Sequence, residues 1–321
     1  MNEILQRISD IGIIPVIAFN SVDEAVPLCK ALVAGGLPAA EVTFRTACAE
    51  ECIKIINKEV PEMLLGAGTV LTIEQADKAM AAGASFIVAP GYDPNICQHV
   101  LDKGGIMVPG TCSAGEMQQA MNQGCQGLKF FPAEANGGVD MLKNIGAALK
   151  SARWMCTGGV NAKNVNDYLG YDQIIAVGGT WMCKADMIKA GKWDEITALC
   201  QEAVRTMLGF KLKHVGINCG DAAEAEKVAK AIGAIFGFPY KAGNSSDFAG
   251  TAVEACKVKK PGTMGHIAIG TTDVDRAIYH LGRQGVKFME SDKVVDKDTG
   301  KTKAVYIDGE FGGFAIHLVK N

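Results

Sequence analysis

With 321 residues, 48% of them hydrophobic and 21% charged, and a net charge of −3, the chain has material for two packed domains. That balance, with no Lys/Arg-rich tract, argues against a nucleic-acid partner, and no apolar run is long enough to cross a bilayer. The eleven cysteines include no CxxC pair, and Cys48 and Cys52 have no second pair nearby, so they read as reduced thiols in a cytoplasmic protein.

Met1 to Asp10 is polar and predicts a short helix rather than a leader. From there to about Leu208, eight apolar runs alternate with amphipathic stretches: Ile13–Phe19, Ala39–Phe44, Leu64–Val70, Phe86–Pro90, Ile106–Thr111, Gly127–Pro132, Trp154–Gly159 and Ile174–Thr180. Each run is short and rich in Val, Ile or Phe, as strands buried on both faces require. Helical patterns such as Val22–Ala34, Ile73–Ala82 and Ser113–Asn122 separate them, with Ser21, Thr72, Asp93 and Asn161 as capping residues. Eight strand–helix units in about 200 residues predict an α/β fold, a (β/α)8 TIM barrel over residues 1–210. A doubly wound sheet is the alternative, but it does not call for eight units. Glycine-rich punctuation closes five of the runs, at Gly66–Thr69, Ala89–Gly91, Pro109–Thr111, Thr157–Gly159 and Gly178–Thr180. In a barrel those carboxyl ends build the active site.

The character changes after Phe210. Residues 211–321 alternate over His214–Asn218, Val253–Lys257, His266–Gly270 and Phe314–Val319, with helical stretches at Ala222–Phe236 and Val274–Gly285. Lys213–Ile217 and Gly265–Ile269 look like opening strands of two related units, which predicts a smaller α+β domain with a weak internal repeat. The boundary is expected between Leu208 and Lys213.

Lys129 lies in the apolar run Gly127-Leu128-Lys129-Phe130-Phe131-Pro132. A lysine there either reaches water along its stem or is placed where desolvation favours the neutral amine, a nucleophile for carbonyl carbon. Strand alternation puts Glu41, Thr43 and Arg45 on one face, inward, with Val42 and Phe44 outward; Lys129 shares a face with Phe131. The barrel mouth is thus expected to hold a lysine, a carboxylate and an arginine. That is either a buried ion-pair network or a nucleophile beside a base and an anion-binding guanidinium.

Residues 1 to about 208 resemble the KDPG (2-dehydro-3-deoxy-6-phosphogluconate) and 4-hydroxy-2-oxoglutarate aldolases, a class I family. The motifs are Pro15-Val16-Ile17, Glu41-Val42-Thr43 with Arg45-Thr46, Gly66 to Val70, Pro90-Gly91, Lys129 to Glu134, Thr157 to Asn161, and Gly178 to Trp181. The resemblance implies that Lys129 forms a Schiff base with a 2-keto acid and that Glu41 is the general acid/base. It implies that Arg45 and Thr69 hold the pyruvate carboxylate and that Pro90 and Phe131 wall the pyruvyl pocket. Gly158, Gly159, Gly179 and Thr180 would take the phosphate. The implied substrate is a phosphorylated 2-keto acid, the products are pyruvate and glyceraldehyde 3-phosphate, no cofactor is needed, and the assembly is a homotrimer. Thr180 stands where the family commonly has serine, which leaves open 4-hydroxy-2-oxoglutarate or the galactonate isomer as substrate. A phosphosugar isomerase or epimerase, with Lys129 merely neutralising charge, is the alternative of another class. A binding role carried by the C-terminal domain is a third.

The C-terminal segment is similar to the vicinal-oxygen-chelate (glyoxalase/bleomycin-resistance) superfamily of paired βαβββ modules. The resemblance implies His214, Glu254, His266 and His317 as ligands of a divalent metal such as zinc, nickel, iron or manganese. Against it, the last position is usually glutamate; a metal-free module is the alternative. His99 and His280 fall on helical stretches and read as packing or surface residues.

Overall fold

The computed structural model describes all residues, 1–321, and divides into two compact units, Met1–Met207 and Leu208–Asn321. The first is a (β/α)8 barrel-like parallel sheet of nine segments: β1 (Ile13–Ile17), β2 (Ala39–Thr43), β3 (Leu64–Gly68), β4 (Phe86–Val88), β5 (Met107–Val108), β6 (Gly110–Thr111), β7 (Leu128–Phe130), β8 (Trp154–Thr157) and β9 (Ile174–Gly179). Their order is β5-β4-β3-β2-β1-β9-β8-β7-β6. Segments β5 and β6 are one expected run, divided at Pro109, which has no N–H to give a neighbouring strand. Its carbonyl still accepts from the Lys129 amide at 2.8 Å. Nine segments therefore occupy eight strand positions, and chain continuity through Pro109 closes the ring.

Every residue of these segments is buried, as the apolar runs require. The helix Glu3–Ile11 buries Leu5, Ile8 and Ile11, spaced for one face. Thr72 and Asp93 cap Ile73–Ala81 and Pro94–Asp102, and Ser113 with Glu116 forms a capping box before Ala114–Gln123. Ser21 caps a single 3-10 turn, Val22–Glu24, ahead of the helix Ala25–Ala34. Asn161 does not cap a helix: its side chain accepts from the Lys163 amide at 2.9 Å, and the helix Val165–Leu169 opens after Asn164. Asparagine's habit of bonding the backbone two residues on made a turn where a cap was expected. Phe44 is half-buried rather than turned wholly outward, because β2 ends at Thr43 and alternation fixes nothing beyond it.

The second unit is a mixed eight-stranded sheet. Its element order is strand, helix and three strands, twice. The first set is β10 (Lys211–Asn218), helix Ala222–Phe236, β11 (Tyr240–Ala242), β12 (Ser246–Ala249) and β13 (Val253–Cys256). The second is β14 (Gly265–Thr271), helix Val274–Arg283, β15 (Val294–Val295), β16 (Thr302–Phe311) and β17 (Phe314–Lys320). The sheet runs β11-β12-β13-β10-β14-β17-β16-β15. In each half the first strand pairs in parallel with the last, and antiparallel β10 and β14 form the seam between halves. Ala225 and Ala229 of the first helix pack against Ala255 of β13; small side chains bring the helix close to the sheet. No helix of the chain is long and apolar enough to cross a membrane.

Candidate active site

Glu41 on β2 and Lys129 on β7 meet inside the barrel. The Lys129 Nζ lies 2.9 Å from Glu41 Oε1 and 3.3 Å from Oε2, with the two side chains 7% and 1% exposed. So buried a pair holds its geometry without competition from water. Within the ring, β2 and β7 are separated by β1, β9 and β8. Only a closed barrel brings these side chains together across that distance. Gly68, on the strand next to β2, gives the carboxylate its room: a Cβ there would lie 2.3 Å from Glu41 Oε1.

Around this pair, the Phe131 ring centroid lies 5.4 Å from the Lys129 ammonium, within reach of a cation–π attraction. Pro90 is half-buried after β4, its carbonyl packed against Gly110 so closely that a Cβ at 110 would fall 2.1 Å from it. Thr69, after β3, has φ +56°, the one non-glycine residue with positive φ. A β-branched residue held there is strained, and such strain clusters at ligand sites.

A cavity of about 370 Å³ opens above the pair at the carboxyl ends of β1, β2, β8 and β9. Its walls include Arg45, Gly158, Gly159, Gly179 and Thr180, the residues expected to hold the two anionic ends of a substrate. Lys129, Glu41, Thr69, Pro90 and Phe131 are not among its walls. The floor is Thr43 and Thr157, two residues toward the mouth from Glu41 and from the β8 partner of Lys129. Arg45 itself is exposed, in the turn after β2. Gly158 and Gly159 have φ +101° and +86°, and a Cβ on Gly159 would meet the Glu134 side chain at 2.5 Å. Thus both the turn and the contact with Glu134, which accepts from the Tyr168 hydroxyl, require glycine.

Gly68, Thr43 and Thr157 are placed near the site by the sequence but given no role of their own, and Cys183 and Lys184 are not singled out by it. Thr43 faces inward with Glu41, as alternation expects, and its hydroxyl donates to the Ile17 carbonyl at 2.9 Å. Thr157 opens the Thr157 to Asn161 motif. It is 8% exposed and its hydroxyl has no partner, in the floor of the cavity. Lys184 follows β9 in a segment with no strand pattern to place it.

The model of the aldolase family that covers KDPG and KHG aldolases matches residues 4–199. The chain belongs to that family. It is 42% identical over 205 residues to the 2-dehydro-3-deoxy-phosphogluconate aldolase of Treponema pallidum, covering 64% of this chain and 98% of that protein. It is 42% identical over 192 residues to the KHG/KDPG aldolase of Escherichia coli K12, covering 60% and 90%. A crystal structure of KDPG aldolase from Legionella pneumophila, with pyruvate captured as a covalent carbinolamine, superposes with a TM-score of 0.60 at 35% identity. That likeness covers 62% of this chain and 97% of that one.

Beyond the aldolase barrel, the second unit gathers His214, Glu254, His266 and His317 from β10, β13, β14 and β17. One nitrogen from each histidine lies within 4.8 Å of the others. Glu254 Oε2 is 3.1 Å from His214 Nε2 and 3.3 Å from His266 Nε2. Register explains the convergence: Gly216 stands opposite both Glu254 and His266, and Ala268 stands beside His317. A Cβ at Gly216 would strike the His266 ring at 2.1 Å. The other Glu254 oxygen accepts from the buried Ser246 hydroxyl at 2.5 Å. Hydrogen bonds from His214 and His266 hold the Glu254 carboxyl well below the usual carboxylate range. Burial, reinforced by the charges of His266 and His214, pushes His317 down to about 4. His266 Nδ1 and His317 Nε2 are buried without a partner. Tyr306 stacks on His317 with ring centroids 4.8 Å apart. Of the other histidines, His99 bonds Asp77 at 2.8 Å and His280 is buried on the helix Val274–Arg283.

Proposed function

We propose that the barrel is a Schiff-base aldolase that splits 2-dehydro-3-deoxy-6-phosphogluconate into pyruvate and glyceraldehyde 3-phosphate. The observation that carries this reading is the buried contact of Lys129 with Glu41. A proton handed along it to the carboxylate leaves an amine lone pair free for the C2 carbonyl. Attack gives a carbinolamine; loss of water, with Glu41 returning a proton to the leaving hydroxyl, gives the iminium. The C4 hydroxyl then surrenders its proton to Glu41 through a water, the C3–C4 bond breaks, and its electron pair moves into the enamine. Aldehyde leaves; protonation at C3 and hydrolysis of the imine release pyruvate and restore Lys129. Arg45 and Thr69 would hold the carboxylate, the guanidinium offering two parallel donors. Phe131 and Pro90 would keep the pyruvyl end dry, and Gly158, Gly159, Gly179 and Thr180 would receive the phosphate. Borohydride reduction with pyruvate tests this: a reduced pyruvyl adduct on Lys129, absent in Lys129→Met, is expected. An active protein that gives no adduct would send the chemistry to a phosphosugar isomerase.

For the second unit we read the two strand–helix–three-strand sets as paired βαβββ modules of the vicinal-oxygen-chelate kind, holding a divalent cation on His214, Glu254, His266 and His317. Three imidazoles and a carboxylate suit zinc, nickel, iron or manganese, and two buried ring nitrogens without partners leave donor capacity unused. When bound, such an ion supplies Lewis acidity to oxygen ligands. Elemental analysis is expected to find stoichiometric metal that His266→Ala removes; metal-free protein showing no thermal shift on metal addition would refute it. Free thiols at all eleven cysteines fit a cytoplasmic enzyme, and we expect a homotrimer, measurable by light scattering.

A further inference from the structure

The cavity above the lysine carries more positive charge than the aldolase reading uses. Arg45 and Lys184 are the two cations in its walls, and no aspartate or glutamate is among them, in a chain whose net charge is −3. Arg45 follows β2 and Lys184 follows β9, and both strands are neighbours of β1. The two cations thus flank one strand, with Gly179 and Thr180 on the Lys184 side and the glycine turn after β8 next to them. Lys184 forms no ion pair and no side-chain hydrogen bond that would spend its charge within the protein. The Thr157 hydroxyl, in a residue that lines the same cavity, is buried without a partner.

Arg45 has the pyruvyl carboxylate to neutralise, which leaves the second cation for the far end of the substrate. We propose that Lys184 is the specificity-determining residue that favours a dianionic phosphate over a monoanionic carboxylate at that end, an inference that rests on the aldolase reading. The backbone amides of a glycine turn accept either group, because both present oxygen acceptors. An ammonium distinguishes them by charge: its attraction to a dianion is about twice that to a monoanion at equal distance. Lys184 is exposed, so the effect is modest and falls with added salt.

The test compares cleavage of 2-dehydro-3-deoxy-6-phosphogluconate with that of 4-hydroxy-2-oxoglutarate, which ends in a carboxylate. Lys184→Gln is expected to raise KM for the phosphorylated substrate about fivefold and for the other about twofold, lowering the preference by about half a decade or less. Lys184→Glu should lower it further, Lys184→Arg should restore it, and raising the salt concentration should narrow the wild-type preference. An unshifted ratio in both Gln and Glu variants, or an equal fall in kcat on both substrates, would overturn the assignment. Borohydride trapping with pyruvate separates the two levels. A wild type that traps nothing sinks the aldolase reading and this proposal with it; a trapped adduct with an unshifted ratio sinks the role of Lys184 alone.

Discussion

Gly68 and Glu41 occupy one space between them: a Cβ on residue 68 would sit 2.3 Å from the carboxylate oxygen and 2.5 Å from Glu41 Cγ. Gly68→Ala must therefore push the carboxylate away from Lys129. We expect turnover to fall on the order of 100-fold, as misplacing a catalytic group by about 1 Å does. Overpacking should cost roughly 1–3 kcal/mol of stability, readable by urea denaturation. An alanine variant of full activity would show that the carboxylate's position is not critical.

The Lys129–Glu41 pair makes a double-mutant prediction. Lys129→Met strands a buried carboxylate and should destabilise the barrel by roughly 3 kcal/mol, besides abolishing pyruvate trapping. Glu41→Gln should trap poorly and turn over hardly at all. Combining the two should return at least half of the stability lost in Lys129→Met while leaving activity at zero. Strictly additive losses would mean that the pair does not interact energetically.

Ser246 is buried and spends its hydroxyl on one Glu254 oxygen, which leaves the other facing His214 and His266. Ser246→Ala should weaken metal binding about 10–100-fold, by competition with a chromophoric chelator, and Ser246→Thr should recover most of it. Equal affinity in all three proteins would remove the serine from the site.

Asp273 caps the helix Val274–Arg283. Burial works against its charge, but the Arg276 guanidinium and amide and the Lys301 ammonium outweigh it and hold its carboxyl below the ordinary 3.8. A depressed acid contributes stability that is full above its unfolded value and fades as pH falls through the folded one. Thermal melts should therefore show Tm falling below about pH 4, and less steeply in Asp273→Asn, whose amide still caps the helix. Parallel acid limbs in the two proteins would contradict the assignment.

Sequence period carried most of the barrel, because a strand buried on both faces leaves an unbroken apolar run and its closing glycines are unambiguous. It also brought Glu41 and Lys129 to one interior. What it could not show was anything decided between strands: that Gly68 is empty for Glu41, or that Thr157 keeps an unpaired hydroxyl. Alternation also stopped serving where a strand stopped, so Phe44 ended half-buried and Lys184 passed unnoticed. In the second unit, β11, β12, β15 and β16 escaped notice, being short or half-exposed and without a clean alternation. Yet Gly312-Gly313, both at positive φ between β16 and β17, is a hairpin signal that could have been read. The four proposed metal ligands came from resemblance; only register across the seam brings them together.

That seam divides the four donors evenly. His214 and Glu254 belong to one half of the second sheet, His266 and His317 to the other, so neither half alone can assemble the set. A cation held there would act as a staple across β10 and β14, and its binding free energy would become cohesion between the halves. Split between Cys256 and Gly265, the two fragments should then associate in a metal-dependent way, each incomplete as a chelator until it finds the other.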